Sequence, residues 1–145
     1  MKTLLTAILL MVSINCYSQF SLKTGIGMGV QVYPDYSYNL FQTTLDVTPQ
    51  YTIDKLGIGA VVQSFISDSV TTGYVGLNAS YPVWVKENKT LLLTGQYLKG
   101  DRGKQLIGGS LEYVTDQVGI EINASQEYKS KTGIFWLGLS YYLIR

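Results

Sequence analysis

From Phe20 to Val32 the side chains alternate without a break. Phe20, Leu22, Thr24, Ile26, Met28, Val30 and Val32 fall on one side, and Ser21, Lys23, Gly25, Gly27, Gly29 and Gln31 on the other. An alternation of that length has the two-residue period of a strand and does not fit the 3.6-residue period of a helix. The same pattern returns at 41–53, 56–63, 75–85, 90–97, 107–113, 118–125 and 135–143. In the fifth stretch Leu92 and Leu98 blur it. Short turns at 54–55, 86–88 and 116–117 alternate with longer connections at 34–39, 67–73, 99–105 and 128–132. Eight strands joined in that way predict an all-β, antiparallel up-and-down barrel, a form that leaves no strand edge unpaired.

The turns also set an expected register. A two-residue Asp116-Gln117 turn pairs Tyr113 with Ile120, and a three-residue Lys86-Glu87-Asn88 turn pairs Tyr81 with Leu93 and Val83 with Leu91. Pro49 and Pro82 lack the N–H that a closed ladder needs, so each is expected near the lower rim or at a bulge.

Alternation alone does not say which face meets water. Charged residues make up 14% of the chain, against about 25% in a soluble domain. The polar rows are mostly Gly, Ser, Thr, Asn and Gln, and the apolar rows carry no charge. A soluble barrel clothes its outside in Lys and Glu, whereas small uncharged groups suit the cramped lumen of an eight-stranded barrel. The apolar rows are therefore expected to face hydrocarbon. Tyr51, Tyr81, Tyr113 and Tyr141 recur about every 30 residues, one hairpin of membrane-crossing strands apart, near the turn-side end of alternate strands. They predict an interfacial aromatic girdle, because a phenol has an apolar body and a polar tip. Phe41, Tyr97, Tyr128 and Phe135 form a looser upper belt.

Residues 1–18 read as a secretory signal peptide, with Lys2 as the positive n-region, an apolar run over 4–12, and Cys16 and Ser18 at the small-residue positions before cleavage. Gln19 is then the expected mature N-terminus, and 19–145 a single barrel domain. The one cysteine, Cys16, belongs to the signal, and the chain has no histidine. That excludes a disulfide framework, thiolate or imidazole metal ligands, and a Ser/His nucleophile pair, so neither a cofactor nor an enzymatic activity is expected. A formal net charge of +1 gives no basic footprint for nucleic acid.

Over the whole mature region the chain resembles the small OmpA/OmpX-type outer-membrane barrels. The carriers are the signal segment, the eight alternating stretches, the turn asymmetry, and a last strand running Phe135-Trp136-Leu137-Gly138-Leu139-Ser140-Tyr141-Tyr142-Leu143. The resemblance implies an integral protein of the outer membrane of a Gram-negative-type cell, in contact with outer-membrane lipid and inserted by the barrel assembly machinery. Members usually end on an aromatic residue read by that machinery, and this chain departs from them in ending Ile144-Arg145.

Two groups of residues carry candidate chemistry. Lys23, Asp46, Glu112 and Glu121 are the charged lumenal set, and the turn register sets Glu112 across from Glu121. Two carboxylates so placed cannot both ionise cheaply unless a cation sits between them, and Lys23 is the candidate. The second group is a basic rim on two outer loops, formed by Lys99, Arg102 and Lys104 with Lys129 and Lys131, tempered by Asp101 and Glu127. It could meet lipopolysaccharide phosphates. The tyrosine-rich loop at 33–39 is a candidate adhesive tip. Three function classes fit these residues: a structural or surface-interacting membrane barrel with a filled lumen, a soluble lipocalin-like barrel for a small apolar ligand, and a narrow channel.

Overall fold

A computed structural model describes residues 20–35, 39–68 and 70–144. The expected signal peptide, Gln19, the 36–38 tip of the first loop and Arg145 lie outside the described residues. The described residues form eight antiparallel strands: β1 (Phe20–Val32), β2 (Asn39–Ile53), β3 (Leu56–Ile66), β4 (Thr71–Lys86), β5 (Lys89–Gly100), β6 (Gln105–Thr115), β7 (Val118–Glu127) and β8 (Gly133–Ile144). A 3-10 turn, Asp101–Gly103, joins β5 to β6. Each strand pairs with its sequence neighbours, and β8 returns to β1 to close the barrel. The closing seam runs from Leu22↔Ile144 to Val32↔Gly133, with a register shift between Leu22 and Lys23.

The apolar rows face outward. Phe41 is 81% exposed and Leu77 65%, and Ile26, Met28, Val75, Ile122, Leu137 and Leu139 are exposed beside them. A continuous oily band of this kind is untenable in water and is what a bilayer requires. A soluble barrel with an apolar ligand would turn the same rows inward.

The inside differs from a uniformly small and polar filling. Its lower half is mostly polar, with Val114 fully buried there, but the half nearer the long loops is packed by Val61, Phe65, Tyr74, Leu98, Leu106, Ile134 and Trp136. Leu98 and Leu106 are fully buried. Leu98, which blurs the strand period, therefore belongs to an internal apolar plug. Phe65 and Tyr74 meet edge to face at 5.5 Å. The Trp136 ring lies over Gly27 and Gly138, which pair across the seam. A Cβ on either glycine would come within 2.7 Å of the indole, so the glycine rows are the floor on which this large ring rests.

Tyr113 pairs with Ile120 and Tyr81 with Leu93, as the turns imply. The β4–β5 turn departs from expectation. Lys86 pairs with Lys89, leaving only Glu87 and Asn88 in the turn, and a bulge between Pro82 and Trp84 absorbs the extra residue. Leu91 consequently faces Trp84 instead of Val83. One inserted residue flips the facing of the strand beyond it, so Trp84 turns outward, while Val85 lines the lower mouth of the lumen. The bulge sits at Pro82, where the ladder lacks a donor. At Pro49 the β2–β3 pairing is likewise interrupted, between Val47↔Val62 and Gln50↔Gly59.

If the outward rows meet hydrocarbon, Leu77→Arg, in the middle of β4, should cost about 2–4 kcal/mol in a bilayer. Urea unfolding in lipid vesicles checks this, and a loss below about 0.5 kcal/mol would be incompatible with a membrane-facing position.

Candidate functional site

Four strands, β1, β6, β7 and β8, supply the side chains of the charge cluster in the lower lumen. Glu112 on β6 stands directly opposite Glu121 on β7, so the period-two pleat points both carboxylates inward at one level. Lys23, on the inward row of β1, reaches across to both. Its Nζ donates to Glu121 Oε2 at 2.8 Å and to Glu112 Oε2 at 3.3 Å. The Tyr142 hydroxyl donates to Glu112 Oε2 at 3.0 Å, and the Ser140 hydroxyl donates to Glu112 Oε1. Glu112 is 1% exposed, and Lys23 and Glu121 are also buried. One cation shared by two carboxylates, with hydroxyl donors on the remaining lone pairs, satisfies a buried charge cluster that either carboxylate alone could not.

Asp46, the fourth member of the expected set, is buried on β2 opposite Gly25 and Gln63. No ion pair joins it to Lys23 among the described residues. The geometry thus joins three of the four charged residues by ion pairs and leaves Asp46 as an inward carboxylate outside those pairs. Tyr142 and Ser140, which complete the cluster, do not stand out in the sequence. Both lie on the inward row of β8, and the signal that would find them is the β7–β8 register, which sets Ser140 beside Gly119 and so within reach of Glu112 across β7, and which the long 128–132 connection does not encode.

The tyrosines of the expected girdle are on the outward face. Tyr51, Tyr113 and Tyr141 lie near the ends of β2, β6 and β8, and Tyr141 donates from its hydroxyl to Gln117 Oε1 of the β6–β7 turn at 2.8 Å. Tyr81 sits higher on β4, above the bulge, and the outward Trp84 takes the level below it.

At the other end the basic residues divide. Lys99 is exposed at the end of β5, and Arg102 falls in the 3-10 turn. Lys129 approaches that turn, with its Nζ 3.9 Å from where a Cβ on Gly103 would stand. The Lys131 ammonium lies 4.8 Å over the Tyr128 ring. Lys104 is half-buried and lines an upper cavity. No ion pair involves Lys99, Lys104, Lys129 or Lys131 among the described residues. Glu127 does not temper this rim, because its side chain is turned inward and buried.

Two lumenal cavities open at opposite ends: about 320 Å³ below, under Tyr142, and about 150 Å³ above, beside Phe65 and Tyr74. The charge cluster and the apolar plug stand between them.

No protein-family model matches the chain, and no curated protein matches it. Solved structures do. The N-terminal β-barrel domain of Pseudomonas aeruginosa OprF superposes with a TM-score of 0.51 at 14% identity, over 83% of this chain and 97% of its own length. Neisserial surface protein A gives a TM-score of 0.55 at 11% identity, covering 84% of this chain and 96% of that one. The fold is that of a small outer-membrane barrel. A de novo designed transmembrane β-barrel matches as well, with a TM-score of 0.57 at 10% identity over 85% of this chain and 95% of the design. At such identities the likeness is one of architecture, and the match to a designed barrel underlines that closure, tilt and an outward apolar band suffice for it.

Removing the shared cation tests the cluster. Lys23→Met should destabilise the barrel by about 3–5 kcal/mol, since it strands two buried carboxylates, and adding Glu112→Gln and Glu121→Gln should restore most of that loss. Urea unfolding of the three forms in detergent micelles measures both steps. A triple variant no more stable than Lys23→Met would show that the carboxylates are not what Lys23 offsets.

Proposed function

We propose that the protein is a non-enzymatic integral barrel of the outer membrane, exported by its N-terminal signal, whose part is structural or surface-interacting. The observation that carries this reading is the pairing of an outward apolar band with an interior closed by an ion cluster below and an apolar plug above. A filled interior leaves no wide path for solutes and disfavours the narrow-channel reading. The outward oily rows disfavour a soluble lipocalin-like carrier.

In this reading Tyr51, Tyr81, Tyr113 and Tyr141, with Trp84, mark the lower membrane interface. Lys99, Arg102, Lys129 and Lys131 engage phosphate groups of lipopolysaccharide at the outer leaflet. Lysine is suited to that partner as a compact point charge, and the approach of Lys129 to the 101–103 turn brings two loops to one side of the barrel. The charged lumenal cluster is then a packing and specificity device with no reaction of its own.

Membrane fractionation with heat-modifiable gel mobility tests location and closure together: the protein should remain in the membrane pellet and run faster unboiled than boiled. Recovery as a monomer in plain buffer would overturn the membrane reading. For the rim, binding to vesicles carrying bisphosphorylated lipid A should exceed binding to dephosphorylated lipid A. It should weaken several-fold when Lys99, Lys129 and Lys131 are changed together to Gln, and indifference to the phosphates would remove that partner.

A further inference from the structure

The upper cavity is a second, independent feature. It lies above the apolar plug at the mouth of the barrel, and its wall includes Tyr33, Gln42, Phe65, Thr72, Tyr74 and Lys104. Phe65 and Tyr74 meet edge to face at 5.5 Å, and both are buried, so this wall is already packed without a ligand. Gln42, on the inward row of β2, is only 6% exposed, and its side-chain Nε2 has no hydrogen-bond partner among the described residues. A buried amide donor without an acceptor costs free energy that native structures seldom leave uncompensated. The same cavity carries the Lys104 side chain, which has no ion pair among the described residues.

The cavity carries an ammonium without an ion pair among the described residues, and an amide donor without a partner lies just beneath its wall; together they suit an acceptor that carries negative charge. The aromatic walls ask for a flat or ring-shaped body. The volume, about 150 Å³, is of the size that holds one six-membered ring. We infer that the mouth of the barrel is a binding site for a small carboxylate carried on a single six-membered ring, with Lys104 and Gln42 at the carboxylate and Phe65 and Tyr74 against the ring. The ring can belong to an acidic sugar or to a simple aromatic acid, and the probes below separate these sources. This site depends on the geometry of the barrel mouth and is independent of the lipopolysaccharide reading of the outer rim.

The test is a titration of the full barrel in detergent micelles followed by amide NMR, with glucuronate and glucose as one pair of probes and benzoate and benzyl alcohol as the other. The expected result is a saturable change confined to the cavity residues with one of the two acids at millimolar concentration, at least tenfold weaker with its neutral counterpart. Lys104→Met, an outer-loop change distant from the charge cluster, should abolish that preference while heat-modifiable mobility stays normal. Thr72→Phe, which fills the cavity, should abolish binding of both members of the pair. The inference is overturned if neither acid shifts the cavity residues, or if the folded Lys104→Met protein binds acid and neutral probe as before.

Discussion

Closure of the sheet by β8 on β1 is the constraint on which the rest of the structure depends. In hydrocarbon no water is present to receive an unpaired backbone N–H or C=O, so a strand-built protein must pair every strand on both sides. Here the last strand completes the circuit along nearly the whole length of the first. Closure also forces the pleat to sort side chains by environment: each residue points either to lipid or into a lumen too narrow for anything but side chains. Even the exceptions obey this rule, since the two prolines within strands sit where pairing is interrupted or bulged.

The lumen solves two problems with two chemistries. Near the short turns it buries charge, and does so by giving two opposed carboxylates one shared ammonium and two hydroxyl donors. Near the long loops it buries aromatic and aliphatic groups, with Trp136 seated on a pair of glycines. These halves have different consequences. The ionic half specifies one register, because sliding a strand by one residue would leave charge facing lipid. The apolar half packs the barrel mouth, and beside it remains the cavity that Gln42 and Lys104 both line.

Much of this is legible in the linear pattern. The bounds of β1 follow from the alternation of Phe20–Val32 alone, and the pairing of Glu112 with Glu121 follows from a two-residue turn at Asp116-Gln117. The outward facing of the apolar rows follows from the kind of polar residue on the other rows. The features that escape are those that depend on a local break in the period. Uninterrupted alternation from Val75 would put Val85 outside and Trp84 inside; the bulge beyond Pro82 reverses both. Leu98 and Leu106 look out of place in an alternation scored as apolar outside and polar inside, because that scheme has no slot for an internal plug.

By itself, then, the order of residues determined the strands, their up-and-down order, the class of barrel and the face turned to lipid, since all four are consequences of a period of two and of turn length between neighbours. Only the tertiary structure decided which inward residues meet. Lys23 lies far along the chain from Glu112 and Glu121, and its reach to both depends on the strand tilt and on where the β1–β8 seam closes. The same holds for the upper cavity, whose walls come from strands and loops distant in the chain. Contacts across a lumen are set by the curvature of the whole sheet, and no local pattern of side chains encodes that curvature.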